Sequence, residues 1–573
     1  MILIGITFLF TRRVVALRIL LFALLMGGAI YSVHASILHS SSVAALIDKN
    51  SEVTIRAKVT SEPKRTSNRV QGSRLHKSKI SFLARTSFVE SGSDTSEVRV
   101  PIRILTTELE SPSLGEEIEV IGALIRTSEK RVAGTLIVSK RIKTLAKPGS
   151  LAQLLTEIRG KFREKLAIFD DDAGSLIPGM IIGDTSLQTP EFSEDMRRAG
   201  LSHLTAVSGA NFAIVSSLVF FLSRRVATKI MPRLLVTSAF LLLFLLLVRP
   251  SPSVLRAGVM AGVVLVARAS GNARNSVSAL GAAISLLVLL DPFQALDPGF
   301  ILSVLATSGL LFIAPVLTGK LKRLLPESVA ETFAVPCAAT LACTPYLLLL
   351  AGEISTLSVV FNVLVSPLVA PLTILGFLSL ITMPIALLSD ALIWPAHLCA
   401  QWLTTVASWS DLSPSLAVNF WALLLFSALL ILVIARGLHK TLVIVGLAGI
   451  ALLISPRLSF PGSDWKIVQC DVGQGDALVL NLGDGDGVLF DAGPDPQALA
   501  RCLRNIGVKR LPLVVISHGH ADHYFGGRAL SKKYEIGEVW SNSNTSIAQF
   551  LDHEIRIARK GMKASIKDIS IEI

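Results

Sequence analysis

Residues 200–222 read GLSHLTAVSGANFAIVSSLVFFL, and this stretch decides the class of the chain. From Phe212 to Leu222 only two serines interrupt the apolar side chains, while His203, Ser208 and Asn211 sit at the head of the run. A segment of about 20 mostly apolar residues spans a bilayer core. Similar stretches recur on both sides. Spans are predicted near 201–222, 233–249, 253–268, 276–290, 299–318, 332–351, 356–387, 390–410, 418–436 and 441–455. Pro367 and Pro371 interrupt the longest, which predicts a broken helix. The whole chain agrees: 573 residues are 51% hydrophobic and 17% charged, with a mean hydropathy of +0.61. An average soluble protein is about 25% charged.

An earlier apolar block, Val14 to Ser36, follows Arg12 and Arg13. Its length favours an uncleaved anchor over a signal peptide, although SVHAS resembles a small-residue cleavage site. With it the expected architecture has about eleven spans. Lys/Arg clusters in SRRVATKIMPR, ARASGNARN, TGKLKR and ARGLHK fall at alternate span ends and are cytoplasmic by the positive-inside rule. The N-terminus is then inside, and the two polar parts of the chain, 38–170 and 460–573, face outward from the cytoplasmic membrane.

Residues 38–150 alternate in EVTIRAKVT, SKISFLART, EVRVPIRIL, EIEVIGALIRT and GTLIVSKRIK. Period-two runs between Gly, Ser, Pro and charge clusters are short antiparallel strands, and five or six of them imply a small barrel. Between 51 and 150 there are 18 Lys and Arg against 11 Asp and Glu. That balance fits an ordinary basic β-domain, and it also fits an OB-like barrel that tracks a nucleic-acid backbone. LAQLLTEIRGKFREKLAIFD, within 151–173, has the spacing of an amphipathic helix lying on the membrane surface.

From Trp465 the chain alternates strand and loop, with one helical stretch in DPQALARCLRNIG, which indicates an α/β layered fold. Cys470 and Cys502 share this region and can pair if it faces an oxidising space. The chemistry concentrates in His518-Gly-His520-Ala-Asp522-His523, directly after the buried strand LPLVVIS. A loop at a strand end can turn several ligands to one point, and imidazole with carboxylate suits zinc and similar divalent ions. His518 and His520 suit one ion, and Asp522 and His523 a second. Two ions about 4 Å apart activate water for phosphoester cleavage. The other reading is a polar loop with chance histidines, which the preceding strand and Gly526-Gly527 disfavour. His553, in FLDHEIRIARK, reads as a solvated helix residue rather than a ligand.

Within the apolar region, His203, Ser208, Asn211, Arg256 and Asn362 lie in or beside spans. Polar groups there are costly unless they face a cavity or a partner. Ser208 and Asn362 fit helix–helix contacts as well as a hydrated path. Arg256, after RPSPS, either snorkels to the outer interface or faces a wet path that accommodates phosphates.

Two resemblances follow from these motifs. The HGHADH loop resembles the metallo-β-lactamase superfamily, and LFDAGP fits that family's early strand-end Asp, here Asp491, which supports the metal loop. DVGQGD (Asp471 to Asp476) looks like the opening of the metallo-β-lactamase-like domain at the end of ComEC-type competence proteins, where it is proposed to degrade the strand that is not imported. GLSHLTAVSGANFAIV, preceded by IPGMIIGD and followed by SVLRAGVMA, DPFQALDPGFILSVLATSGLL and FNVLVSPLVAPLTILG, is similar to the competence domain of the same proteins. Asn211 stands where a His is expected in many relatives. The superfamily draws further ligands from downstream, and the chain stops at SIKDISIEI, so the C-terminal domain is expected to be truncated and its site incomplete.

The resemblance implies this organisation: an anchor, 1–37; an OB-like barrel, 38–150; an interfacial helix, 151–173; a polytopic channel domain, 174–458; and a partial metallo-β-lactamase-like domain, 459–573. It implies passage of single-stranded DNA across the membrane in natural transformation, a DNA receptor outside, and an ATP-driven motor inside, and it is compatible with a homo-oligomer. No GxxxxGK[ST] is present, so the chain lacks a P-loop motor of its own. Asp522 and Asp491 are the candidate catalytic carboxylates, and zinc or manganese the candidate ion. The rival reading is a membrane-anchored metallohydrolase acting outside the cell, and a third is a degraded relic.

Overall fold

Five alternating strands close into a barrel between residues 52 and 138. They are β1 (Glu52–Val59), β2 (Ile80–Ser91), β3 (Pro101–Thr106), β4 (Glu117–Ile125) and β5 (Thr135–Val138). β1 pairs antiparallel with both β2 and β4, and β5 pairs antiparallel with β4 and parallel with β3. The order around the barrel is therefore β1-β2-β3-β5-β4-β1. Val53, Ile55, Ala57 and Val59 point inward from alternate positions of β1, and Ile102, Ile104, Ile118 and Val120 meet them, all buried. Period-two burial of β-branched residues on one face is what the sequence encodes here.

The computed structural model describes the chain apart from residues 1–25, 48–51, 67–68, 77–78, 93, 108–111, 128, 226–228, 249–251, 270–275, 352, 356, 413–414, 418–461, 463, 531–533, 543–552, 568 and 573. The chain forms two units. One contains Met1–Lys64 and Ser81–Leu429; the other contains Arg65–Ile80 and Leu430–Ile573. Most of the predicted anchor, 1–37, and the predicted spans 418–436 and 441–455 lie outside the described residues.

In the first unit the barrel is followed by helices α1 (Ser150–Ala167), α2 (Asp172–Ile182), α3 (Pro190–Arg198), α4 (Gly209–Leu222), α5 (Ile230–Val248), α6 (Pro252–Ala269), α7 (Ser276–Leu290), α8 (Pro298–Leu321), α9 (Glu327–Ala351), α10 (Ser358–Ile381) and α11 (Ala386–Ser408). Among the described residues four helices are long and apolar enough to cross a membrane: Met231–Val248, Pro298–Leu321, Glu327–Leu350 and Ser358–Ile381. The expected count of about eleven is not confirmed: most of the first span and the spans 418–436 and 441–455 lie outside the described residues, and α7 is shorter than a full crossing.

Two expectations about these helices change. Pro367 and Pro371 do not break α10, which runs continuously from Ser358 to Ile381. A proline removes one i−4 bond and crowds the carbonyl four residues back. The helix stays continuous while Val365, Leu372 and Thr373 on either side of the prolines are buried against neighbouring helices. α1 is amphipathic, as its spacing predicts, but Arg159, Phe162 and Leu166 are buried against protein. Arg159 donates to the carbonyls of Ile182 and Leu247 and to Glu62, so this helix is built into the core rather than simply floated on a surface. α8 carries a π-turn at Gly309–Ile313. A Cβ on Gly309 would lie 2.5 Å from the Ala338 carbonyl of α9, so only glycine permits that approach of two apolar helices.

The second unit is a layered α/β body. Its sheet has the order β6 (Ile467–Gln469), β7 (Leu478–Gly483), β8 (Asp486–Phe490), β9 (Arg510–Ile516), β10 (Glu535–Ser541) and β11 (Ile555–Ile557). The first three strands are antiparallel and the last four parallel. Helix α12 (Pro496–Asn505) makes the β8-to-β9 crossover, and its Leu499 and Leu503 are buried in the domain core. Asp495 caps α12 by accepting from the N–H groups of Gln497 and Ala498. His553 is half-buried in a bend before β11, not on a helix. The three-residue IRI run pairs with β10, and pairing overrides a local pattern too short to fix its own period. The sequence 65–80 also belongs to this unit, as a hairpin of Arg69–Gln71 with Arg74–His76.

Candidate metal loop and polar helix junction

The HGHADH loop leaves the carboxyl end of β9, a strand paired in parallel on both sides. Ligand-binding loops of parallel sheets gather at that end. Asp491, just past β8, holds the loop. Its Oδ1 accepts from the Ser517 N–H at 2.7 Å, and its Oδ2 accepts from Ser517 Oγ at 2.7 Å and lies 2.9 Å from His523 Nδ1. Asp491 is a buried carboxylate with φ of 57°. A non-glycine residue in that region is uncommon, and such strain collects at functional sites.

Ser517 Oγ in turn meets His518 Nδ1 at 2.9 Å, and His518 Nε2 lies 3.1 Å from His520 Nδ1. The His518 and His523 rings are 4.0 Å apart between centroids. His523 Nε2 lies 3.9 Å from Asp522 Oδ2, and Asp522 Oδ1 is buried with no hydrogen-bond partner. The DVGQGD loop closes on these residues. A Cβ on Gly475 would lie 2.2 Å from the Asp522 carbonyl, and Gly475 has φ of 141°, so glycine is required on both counts. A disulfide between Cys470 and Cys502, with Cα atoms 5.7 Å apart, ties the root of that loop to α12.

These side chains have the donor chemistry of a divalent-metal site. Two nitrogens each about 2.0–2.1 Å from a tetrahedral zinc lie a little over 3 Å apart, close to the His518–His520 separation. The orphaned Asp522 oxygen and the free face of His523 Nε2 make a second pair of donors. Orientation of a ligating His through its other ring nitrogen is the usual support, and Asp491 and Ser517 supply it. Among the described residues no group of three or more His, Cys, Asp or Glu side chains converges on one ion.

The polar residues of the apolar region do not form one cluster. Ser208 caps α4, its Oγ accepting from the Asn211 N–H at 3.2 Å. Asn211 is 1% exposed. Its Nδ2 donates to the Met180 carbonyl at 3.2 Å, and its Oδ1 meets Thr373 Oγ1 at 3.5 Å. Asn211 thus joins α2, α4 and α10. Asn362 donates to Ser358 O at 2.8 Å and to Gly200 O at 3.4 Å. His203 is exposed. Arg256 is on α6, and its side chain lies outside the described residues. The sequence did not single out His397, which is buried, stacks on Phe169 at 4.0 Å, and lies 2.9 Å from the Asp171 carboxylate that caps α2. Its only signal was a lone His in an apolar run.

Residues 180–441 match the family model for competence protein, and residues 470–559 match that for the metallo-beta-lactamase superfamily. The chain is 24% identical over 459 residues to ComE operon protein 3 of Bacillus subtilis (strain 168), covering 71% of this chain and 57% of that one. It is 26% identical over 395 residues to competence protein ComA of Neisseria gonorrhoeae, covering 63% and 53%. It is 25% identical over 392 residues to the uncharacterized protein YcaI of Escherichia coli (strain K12), covering 61% and 49%. The matched part is thus about half the length of these curated relatives. No solved structure matches. The chain thus carries a competence protein family domain at residues 180–441 and a metallo-beta-lactamase superfamily domain after it, at 470–559.

Proposed function

We propose that this chain passes a single DNA strand across the cytoplasmic membrane during natural transformation. The observation that carries the reading is the competence-family match across the helical core, followed in the same chain by a metallo-beta-lactamase superfamily domain. Charged phosphates cannot cross hydrocarbon unaided, and a bundle of apolar helices is the scaffold within which a hydrated path can be built. A receptor outside delivers the DNA, and an ATP-driven partner inside supplies the force. The barrel, with its β1-β2-β3-β5-β4 order, is an OB-type module that holds the strand along its backbone.

Both polar regions face outward in this reading. The disulfide Cys470–Cys502 supports it, since disulfides persist in oxidising compartments and are rare in the cytosol. His518, His520, Asp522 and His523 would hold zinc or manganese, and a bound ion supplies an activated water. The protein's own share is to orient the rings through Asp491 and Ser517 and to press the DVGQGD loop on the site. Cleavage of the strand left outside is the role assigned to this domain.

The second reading, a tethered hydrolase whose helices only anchor it, draws on the same buried, unpartnered Asp522 oxygen. Deleting the gene and restoring the full chain separates the two. Transformation should vanish on deletion and return on complementation. A deletion strain that transforms normally while losing only extracellular DNA degradation would favour the hydrolase.

A further inference from the structure

The hairpin 65–80 departs from the barrel sequence between β1 and β2, yet it belongs to the metal-loop unit. Its strands pair Arg69 with His76, Val70 with Leu75, and Gln71 with Arg74. Val70 and Leu75, directly opposite each other, pack against the hydrophobic core of that unit. At the tip the Ser73 carbonyl accepts a hydrogen bond from the Ala521 N–H at 3.2 Å. Ala521 stands between His520 and Asp522, so the hairpin tip abuts the metal-ligand loop itself. Arg74 and His76, of opposite parity to Leu75, are exposed, as strand alternation requires when Leu75 is the docked residue.

The charge distribution singles out the same segment. Lys64 to Lys79, KRTSNRVQGSRLHKSK, carries six Lys and Arg and no Asp or Glu. The rest of 51–150 holds 12 Lys and Arg against 11 Asp and Glu, and Lys466 to Glu572 holds 13 against 13. The basic excess of the barrel region is thus almost all in this one hairpin. A run of cations on a free loop would be a solvated tether. Here an apolar pair and a backbone bond fix it to the HGHADH loop, so its field acts within about one Debye length of the ligands.

We propose that the hairpin is a nucleic-acid guide: its cationic face binds the phosphodiester backbone of a single DNA strand and brings it to the HGHADH loop. This rests on the DNA-handling function proposed above and names the surface that serves it. No aromatic residue occurs in 64–79, so base stacking is absent and binding is electrostatic, sequence-independent and strongly salt-dependent.

The test uses the purified full chain in detergent and a fluorescent oligothymidylate. The parent, an Arg74→Glu/His76→Glu variant, an Arg74→Lys variant and a barrel-surface control, Lys143→Glu, are titrated across a salt series. The double variant should bind several-fold more weakly at low salt, with a salt slope smaller by about one for each phosphate it no longer neutralises. Arg74→Lys and Lys143→Glu should keep the parent slope. A photo-crosslinking side chain introduced at Ser73 should capture the strand, which keeps the test sound if the double variant folds poorly. A parent that binds while the double variant matches it, with no capture at position 73, overturns the guide and leaves the DNA reading intact. A parent that binds no strand at low salt overturns the DNA reading and the guide with it.

Discussion

Asn211 and Asp522 are both polar side chains withdrawn from water near the start of a helix, and the chain treats them in opposite ways. Around Asn211 the donor and the acceptor each have a partner, and three helices meet through the bonds. Around Asp522 one oxygen is buried with nothing to accept from, while Asp491, Ser517 and the DVGQGD loop hold the surrounding groups in place. A buried polar group left without a partner costs about 1–3 kcal/mol. The junction avoids that cost and is a joint; the loop retains it and is shaped for something that binds. The two sites therefore differ in the partners of each polar atom rather than in residue type alone.

The largest expected effect tests how the loop is braced. Replacing Cys502 with Ser should lower the stability of the C-terminal unit by about 2–4 kcal/mol, seen as a lower unfolding midpoint and faster proteolysis. In denatured, unreduced protein from cells, neither Cys470 nor Cys502 should react with a maleimide. Alkylation of both would remove the brace and the argument for an outward-facing domain.

Asn211→Leu should follow, costing about 1–3 kcal/mol by stranding the Met180 carbonyl, measured by thermal unfolding in detergent. Thr373→Val should cost less, and the two together less than their sum, because they share a bond. If Asn211→Leu keeps full stability yet abolishes DNA uptake, Asn211 lines a path and the contrast with Asp522 fails.

Asp491→Asn comes next. It should weaken zinc binding by the full chain about 10–100-fold, the usual effect of losing a residue that orients the ligands. The parent should itself bind zinc loosely, since among the described residues no three donor side chains converge. Stoichiometric tight zinc in the parent would point to ligands beyond the described residues.

The smallest effect is electrostatic. The Arg510 guanidinium, hydrogen-bonded to Asp486, holds that carboxyl below its ordinary range, with help from Lys567 and against its burial. A carboxyl with a lowered folded pKa adds stability above its unfolded value, about 3.9, and loses it as pH falls through the folded value. Arg510→Ala should therefore be only slightly less stable than the parent near neutral pH, as Arg510 is half exposed and solvent screens the pair. That difference should vanish in acid. A difference that grew in acid would reverse the sign of the pair.

What the sequence disclosed depended on the range of the interaction. The period-two runs of 52–138 and the apolar helices were legible because each carries its own pattern. The HGHADH loop was legible because its residues are adjacent. Three features were not. The continuity of α10 through Pro367 and Pro371 goes with the burial of Val365, Leu372 and Thr373, which appears only once the helices are packed. The burial of Arg159 depends on carbonyls 23 and 88 residues away. The hairpin's docking rests on two apolar residues, Val70 and Leu75, too few to register as a pattern, although the run of cations around them was open to inspection.

The central claim is that the helical core carries DNA inward and the metal loop acts on DNA outside. Internal radiolabel from duplex DNA, measured in cells with the full chain, with a chain lacking 460–573, and with no chain, tests it most directly. The account predicts internal label in the first two strains and none in the third. Normal internal label in cells lacking the chain, with only extracellular degradation lost, would contradict it.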